Sequence, residues 1–234
     1  MNEIISLGEV EITLTRKDVK NVHLSVHPPL GNVTLVAPTT TRTEVARAYA
    51  ISKLGWIRDQ QSKLKSQARE TPRQLVTRES HHVWGRRYLL TVVEVDEKPR
   101  VRLDHRRIRL QVRPGATREQ RAAVLHDWHL SLLHKALPGL IAKWEVRLGV
   151  NVVGFFMQRM KTKWGSCNPR ARTIRINSEL VKKPKDLLEY VVVHEMAHLI
   201  APTHSERFVA LLDEHYPTWR EARAELNQLP LAGG

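Results

Sequence analysis

The segment His194-Glu195-Met196-Ala197-His198 places two histidines four residues apart, and this spacing constrains the fold more than any other feature of the chain. Residues four apart share a face only when the segment is helical. The preceding run Val191-Val192-Val193 would by itself indicate a buried strand. Pro184 suits the first turn of a helix, and Asp186 and Glu189 suit its positive end. We therefore predict a helix through the motif, in the core of its domain.

On such a helix, the imidazoles of His194 and His198 can converge on one cation from adjacent turns. Glu195 is displaced from His194 by about 100° around the helix, which lets its carboxylate lean over an open coordination position. A glutamate at that place can accept a proton from water that a zinc ion has acidified. The motif predicts one zinc ion per chain, with another divalent metal as the alternative, and Glu195 as general base.

A third ligand is predicted from the residues that follow the motif. His204 stands six residues after His198, a separation at which a chain that leaves the helix and turns back can deliver another imidazole. Pro202 supplies the helix stop, and Thr203 with Glu206 has capping-box spacing, which places His204 in the first turn of the next helix. A carboxylate from a later helix is the alternative ligand. The candidates for that alternative are Glu214, Glu221 and Glu225.

The cysteine count and the hydropathy pattern exclude several classes of protein. Cys167 is the one cysteine among 234 residues, so neither an intrachain disulfide nor a zinc site of several thiolates can form. The sequence has no charged-then-apolar leader and no apolar run near the ~20 residues that a membrane-spanning helix needs. We expect a cytoplasmic protein that does not enter a membrane.

The charge balance is strongly basic. Lys and Arg number 38 against 24 Asp and Glu, a formal charge of +14 that attracts polyanions. The charge is spread along the chain, and no nucleic-acid motif accompanies it. Nonspecific association with nucleic acid through a basic surface is therefore one expectation, and an ordinary solvated surface is the other.

Hydrophobic periodicity predicts a β-rich N-terminal region, residues 1–115, that contains one long helix. Alternation of apolar and polar residues predicts strands at 12–15, 22–26, 33–36, 82–84 and 88–95 and a pair within 101–112. Turn residues at 28–32 predict a hairpin. A capping box formed by Thr41 and Glu44 predicts a helix that runs to about Gln67.

Pro114-Gly115 marks the predicted boundary with a second domain, residues 116–234. A helical pattern extends from about Thr117 to Leu148, and Pro138 should interrupt it. Strands are predicted at 157–163 and 173–177, with a turn at 164–172 between them. The last third of the chain reads as helical. No internal repeat is evident in the sequence.

Beyond the histidine motif, a series of segments resembles the YgjP-like metallopeptidases, distant relatives of the SprT-like zincins. The segments occur in the family's order and spacing. They are Lys161-Thr162-Lys163-Trp164-Gly165-Ser166-Cys167, Ile176-Asn177-Ser178-Glu179-Leu180, Pro184, Tyr190 to Glu195, His204-Ser205, Phe208 and Pro217-Thr218-Trp219. Val209 departs from the tryptophan of many relatives, which affects local packing alone.

The resemblance implies an α+β fold: a zincin-like minimal metallopeptidase domain preceded by the β-rich region. It implies His194, His198 and His204 as metal ligands and Glu195 as the catalytic carboxylate. It also implies a small sheet whose edge strand borders the cleft, with the turn after residue 163 near the metal. Lys163, Trp164, Gly165 and Ser166 are therefore candidate substrate-binding residues.

Three functions remain open at the level of sequence. The first is hydrolysis of a peptide or protein substrate by zinc-activated water. The second is pyrophosphate cleavage of a nucleoside triphosphate such as UTP on the same site, because six cations crowd the segment expected near the cleft: Arg159, Lys161, Lys163, Arg170, Arg172 and Arg175. The third is a basic DNA-associated module with structural zinc, which Glu195 disfavours because a closed structural site does not use such a carboxylate. A nucleophilic role of Cys167 is disfavoured because no paired base stands at recognisable spacing.

Overall fold

The computed structural model describes residues 2–27, 31–66, 73–160 and 162–228. The chain forms two compact units, one made of the described residues up to 66 and the other of residues 73–228. The first unit has a four-stranded sheet and two helices: β1 Asn2–Leu7, β2 Val10–Lys17, β3 His23–His27, β4 Asn32–Pro38, α1 Thr43–Ser52 and α2 Leu54–Ser66. Within the described residues, no helix combines the length and the hydrophobicity that crossing a bilayer requires.

The second unit contains two sheets and four helices. Its first sheet and the helix that follows are β5 Ser80–Val83, β6 Arg86–Glu94, β7 Arg100–Leu103, β8 Arg107–Val112 and α3 Arg118–Leu148. The remaining elements are β9 Gly154–Gln158, β10 Gly165–Asn168, β11 Thr173–Asn177, a 3₁₀ turn at Ser178–Lys182, α4 Lys185–Ala197, α5 Glu206–His215 and α6 Trp219–Gln228.

The four-stranded sheets of the two units share one topology, although the sequence shows no repeat. Their strand orders are β1-β2-β4-β3 and β5-β6-β8-β7. In each sheet the central pair is parallel and both outer pairs are antiparallel. Gly8 and Gly85 occupy the first turn of their respective sheets with φ of +65° and +76°, a conformation that favours glycine.

Several local predictions differ from the structure. The helix predicted to begin at a capping box of Thr41 and Glu44 begins instead at Thr43, after Arg42, and no side chain caps it. It also divides at Lys53 into α1 and α2. Residues 28–30 of the predicted hairpin turn lie outside the described residues, but the flanking strands β3 and β4 pair antiparallel as expected.

The prediction that Pro138 interrupts the long helix was wrong. α3 continues through Pro138 over 31 residues. Its inward residues belong to both apolar cores of the second unit: Leu125 packs in the core on the β5–β8 sheet, and the stretch from Leu133 to Leu148 packs in the core around α4. Burial along both halves offsets the hydrogen bond that proline removes, while Pro138 itself is exposed. The predicted boundary at residues 115–116 falls within this unit, just before α3.

The three-stranded sheet has the order β10-β11-β9, with β10 antiparallel and β9 parallel to β11. The predicted turn at residues 164–172 contains the edge strand β10 at residues 165–168. The strand predicted at 157–163 is β9, which begins at Gly154 and ends at Gln158. The small residues of β10 mimic a turn in the sequence. Gly165 has no side chain because the strand lies close against α4.

Candidate metal centre

Helix α4 carries the histidine motif through the core of the second unit and confirms the predicted helix. It packs against β10, β11, α3, α5 and α6. Its run Val191–Val193 is buried throughout, so tertiary packing outweighs the weak helix propensity of valine. α4 ends at Ala197 with His198 as its C-terminal cap. The face shared by His194 and His198 opens toward the segment that precedes α5.

His194, His198 and His204 converge in space. Their ligand nitrogens all lie within 4.8 Å of one another, and within the described residues they make up the one cluster of His, Cys, Asp or Glu with such geometry. Nε2 of His194 and Nε2 of His204 are 3.0 Å apart. Two nitrogens on one tetrahedral zinc at about 2.0–2.1 Å are about 3.3 Å apart. The cluster therefore fits a metal ion of this kind.

Hydrogen bonding and burial prepare the imidazoles for a cation. Nδ1 of His198 donates a hydrogen bond to the carbonyl of Ala201 at 3.2 Å, which leaves the lone pair on Nε2. Burial, together with the neighbouring His198 and His204, lowers the pKa of His194 to about 3. Burial likewise lowers the pKa of His198. Both rings are neutral at physiological pH, the form that ligates metal.

Phe208 on α5 forms the floor of the histidine cluster. Its ring centroid lies 4.6 Å from that of His198 in a stacked arrangement, 4.8 Å from that of His204 and 5.0 Å from that of His194. Phe208 is buried. A rigid aromatic ring in contact with all three imidazoles restricts their rotation, which keeps the cluster ordered before any cation binds.

The segment that delivers His204 differs from the sequence prediction in one detail. α5 begins at Glu206 after Ser205, without a side-chain cap, so the predicted capping box of Thr203 with Glu206 was wrong and His204 lies in the loop before the helix. The three carboxylates weighed as alternative ligands are exposed and lie outside the cluster. They are Glu214, Glu221 and Glu225.

Glu195 is buried beside the histidines, with 6% of its surface exposed. Burial raises the pKa of its carboxyl group to about 8, against the opposing charge of Lys163. The backbone of β10 lies directly over this carboxyl group. A Cβ added to Gly165 would stand 2.5 Å from Oε1 and 2.6 Å from Cγ of Glu195, so only glycine permits β10 to approach this closely.

Asn177 holds the segment that enters β10, a role that sequence reasoning missed. Its side-chain amide donates to the carbonyls of Met160 and Lys163, both at 2.8 Å. Its carbonyl oxygen accepts from the backbone N–H of Met160 at 3.3 Å and of Glu179 at 3.1 Å. The residue is fully buried. From the sequence, an asparagine before a 3₁₀ turn suggests only a cap of that turn. Its hydrogen bonds to Met160 and Lys163 could not be predicted, because these residues are 14 to 17 positions away in the sequence.

The histidine cluster opens into a cleft of about 520 Å³. All four candidate substrate-binding residues line it, and so does Arg223 of α6, which sequence reasoning did not single out. The described lining residues are Thr162, Lys163, Trp164, Gly165, Ser166, Cys167, Pro169, Tyr190, Val191, His194, Glu195, His198, Pro202, His204, Arg223, Leu226 and Asn227.

The expected crowd of cations is largely absent from this lining. Of the five predicted cations that the structure describes, Lys163 alone lines the cleft. Arg159 lies 3.8 Å from Glu179, and Lys161 lies outside the described residues. Arg170 and Arg172 lie in the turn from β10 to β11, and Arg175 lies within β11, opposite Ser166. None of these three is among the described lining residues.

Cys167 lines the same cleft but is not prepared as a nucleophile. Burial and the nearby Glu195 raise the pKa of its thiol to about 11, so it is protonated at neutral pH, whereas the reactive form is the thiolate.

A small sheet whose edge strand borders a cleft, with a helix below that presents two histidines and a buried glutamate, defines a zincin-like minimal metallopeptidase domain. The α+β class is confirmed, and a β-rich region precedes this domain. The model of the family described as YgjP-like, metallopeptidase domain, matches residues 20–229. The chain belongs to this family, and its domain is that of a metal-dependent hydrolase of the metallopeptidase type.

Two solved structures are similar to part of the chain. The metallopeptidase zymogen abylysin of Pyrococcus abyssi is 20% identical, with 38% of this chain and 90% of that chain covered and a TM-score of 0.36. The metallopeptidase zymogen jannalysin of Methanocaldococcus jannaschii is 22% identical, with 39% and 93% covered and a TM-score of 0.35. A search of curated proteins found no significant match.

Proposed function

We propose that this protein hydrolyses peptide bonds with one zinc ion bound by His194, His198 and His204 and with Glu195 as general base. The observation that carries this proposal is the convergence of three imidazoles beside a buried glutamate at the base of an open cleft. Three protein ligands leave a fourth position for the reaction, as catalytic zinc sites do.

The chemistry divides between the metal and the chain. Zinc, when bound, acts as a Lewis acid that acidifies water and polarises a carbonyl group. A cation bound beside Glu195 would lower the raised pKa of this carboxyl group and keep it ionised. As a carboxylate, Glu195 accepts the proton of the attacking water and transfers it to the departing amide nitrogen. The backbone of Gly165 shields this carboxyl group from solvent. Phe208 keeps the imidazoles in place.

The edge strand β10 supplies a binding surface for an extended peptide. One of its edges pairs with β11, and the other is a sheet edge beside the cleft. Main-chain hydrogen bonds to such an edge bind a polypeptide by β-strand addition, without regard to its side chains. Lys163 and Arg223, the cations of the described lining, favour a substrate with a carboxylate near the scissile bond.

Two alternatives have weaker support. A structural zinc site uses four protein ligands, whereas the described cluster offers three, with Glu195 beside it. A nucleoside triphosphatase site needs several cations for its phosphates, whereas the described lining offers Lys163 and Arg223. Because these two cations could bind a phosphate group, nucleoside triphosphates are included in the test.

The test compares the zinc-loaded protein and two variants, Glu195→Gln and the exposed control Glu214→Gln, on casein, peptides with and without acidic residues, and a panel of nucleoside triphosphates. We expect peptide cleavage that falls by about 10²–10⁴ in Glu195→Gln with unchanged zinc content and stays at the wild-type rate in the control. Turnover of nucleotides alone would overturn the peptidase assignment. Full peptidase activity of Glu195→Gln would overturn the role of the glutamate.

A further inference from the structure

The outward face of the β5–β8 sheet carries a group of aligned arginines. Leu90 and Ile108 point into the core that α3 covers, and the residues that alternate with them point away. On this outward face Arg102 of β7 stands directly opposite Arg109 of β8, and Arg107 stands opposite Leu89 of β6. Arg87 lies on the same face, opposite His82 of β5. These four arginines, the arginine face, are all exposed: Arg87, Arg102, Arg107 and Arg109.

The arginine face lacks acidic partners. Within the described residues, none of its four members forms an ion pair or a side-chain hydrogen bond. Glu97, in the loop before β7, is already hydrogen-bonded to Arg100 and Gln111. Like charges directly opposite each other on neighbouring strands are destabilising, so the pair of Arg102 and Arg109 carries a cost that an anionic partner would relieve.

The first unit shows that this sheet topology does not require arginine. Its sheet has the same strand order and the same pattern of parallel and antiparallel pairs. The outward pair that corresponds to Arg102 and Arg109 is Ser25 with Thr34, and Thr13 stands opposite Thr34 on the other side. These matched positions are neutral in the first sheet, so this strand arrangement folds without arginines on its outward face.

The guanidinium groups of the arginine face favour a partner that carries phosphate groups. Guanidinium groups bind phosphate through paired hydrogen bonds, and the net charge of +14 attracts polyanions. Proteins that bind single strands stack bases on aromatic rings, but the outward positions of β6 between the arginines hold Leu89, Thr91 and Val93. A membrane-binding surface inserts several large apolar side chains. Among the described residues that point outward from β5–β8, Leu89 is the one exposed large apolar side chain, at 40%.

From these observations we infer that the arginine face binds the backbone phosphates of a nucleic-acid duplex without reading its sequence. Duplex DNA and duplex RNA present the same phosphate chemistry, and both are used in the test. This surface is separate in sequence from the histidine cluster, so the inference does not rest on the peptidase activity.

The experiment measures the anisotropy of short fluorescent duplexes of mixed sequence, one of DNA and one of RNA, titrated with the full chain over a range of salt concentrations. The test variant is Arg102→Gln, Arg107→Gln, Arg109→Gln. The control removes the same charge from exposed positions of the first unit: Arg42→Gln, Arg47→Gln, Arg58→Gln. Circular dichroism verifies that both variants fold, and vesicles that contain phosphatidylserine provide a second anionic surface.

We expect the test variant to bind at least one duplex about tenfold more weakly or worse, and its slope of log affinity against log salt to fall by about 2 to 3, near 0.9 for each lost phosphate contact. The control should retain the wild-type slope. A variant with Lys at the same three positions should keep most of the slope, because the charge remains. Equal losses in test and control variants, absence of duplex binding, or binding to vesicles alone would each overturn the inference.

Discussion

The backbone of Gly165 lies in contact with the carboxyl group of Glu195, so closely that a methyl group on the glycine would stand 2.5 Å from Oε1 and 2.8 Å from Cδ. This contact joins the edge strand of the small sheet to the glutamate of the histidine motif. It restricts the carboxyl group to one position beside the cluster and excludes water from one side of it.

The variant Gly165→Ala should therefore lose activity while it keeps its metal. The added Cβ must displace either β10 or the carboxyl group, and a misplacement of about 1 Å at a reacting group costs about 10² in rate. The histidines are not displaced, so zinc content should stay at the wild-type level. The measurements are kcat/KM and bound zinc. The matched control is Gly154→Ala on the same sheet, where the added Cβ would meet only Thr173, at 3.8 Å. Wild-type kcat/KM in Gly165→Ala would show that the contact does not position Glu195.

Asn177 should be essential to stability because it is fully buried and satisfies four backbone groups. The isosteric variant Asn177→Asp turns two donated hydrogen bonds into contacts between oxygens and leaves the carbonyls of Met160 and Lys163 without donors. We expect the free energy of unfolding to fall by about 3 kcal/mol or more, as measured by chemical denaturation. The exposed control Asn21→Asp changes the charge equally. Similar losses in the two variants would refute a special role for Asn177.

Each of the two topologically matched sheets has one glycine in its first turn, Gly8 before Glu9 and Gly85 after Trp84, and the two offer a comparison within one chain. Gly8→Ala meets no atom within 4 Å, and Gly85→Ala places its Cβ 2.9 Å from Cγ and 3.2 Å from Cα of Pro184, which precedes α4. In both variants the alanine must adopt a positive φ, which lowers the free energy of unfolding by about 1–2 kcal/mol. Only in Gly85→Ala does the added Cβ also clash with Pro184. Hydrogen exchange should show a larger loss of protection around β5 and β6 than around β1 and β2. Equal losses would mean that the contact with Pro184 relaxes freely.

How far the sequence determines these features is clear from particular residues. The helical spacing of His194 and His198 predicted α4 in spite of its valines, and the helix forms because burial of its apolar side chains outweighs the weak helix propensity of valine. Strand β10 was missed because Gly165 and Ser166 have the composition of a turn. The absence of a side chain at Gly165 reflects its contact with Glu195, which is far away in sequence.

Long-range packing accounts for the other differences. α3 passes through Pro138 because two separate cores bury the helix on both sides of it. Arg223 enters the cleft from a helix beyond the motif, and no local pattern marks it. The shared topology of the two four-stranded sheets is visible in their strand pairing and not in the sequence. Both sheets need apolar residues at the inward positions, but the residues at the outward positions can differ.

Acid should weaken the second unit through His129. Burial lowers the pKa of this residue to about 3, and the charge of Lys182 contributes in the same direction, while its Nε2 lacks a hydrogen-bond partner in the described part of the chain. In the unfolded chain its pKa is about 6.5. Unfolding therefore takes up a proton between these values, and the full stability present above pH 6.5 declines by about 1.4 kcal/mol per pH unit as the pH falls toward 3.

Replacement of His129 should make the free energy of unfolding less dependent on pH below 6.5. We expect His129→Gln to show a shallower fall in the free energy of unfolding between pH 6.5 and 4 than the wild type, measured by chemical denaturation at each pH. His126→Gln, an exposed position one turn earlier on α3, is the control and should follow the wild-type slope. An unchanged slope in His129→Gln would assign the acid sensitivity to other groups.

The zinc X-ray absorption spectrum of the loaded protein tests the central claim most directly, because it reports the ligand atoms themselves. The account predicts one zinc per chain with three imidazole nitrogens at about 2.0–2.1 Å and one further light atom. A sulfur shell at about 2.3 Å, which would place Cys167 on the metal, or fewer than three imidazole scatterers would contradict it.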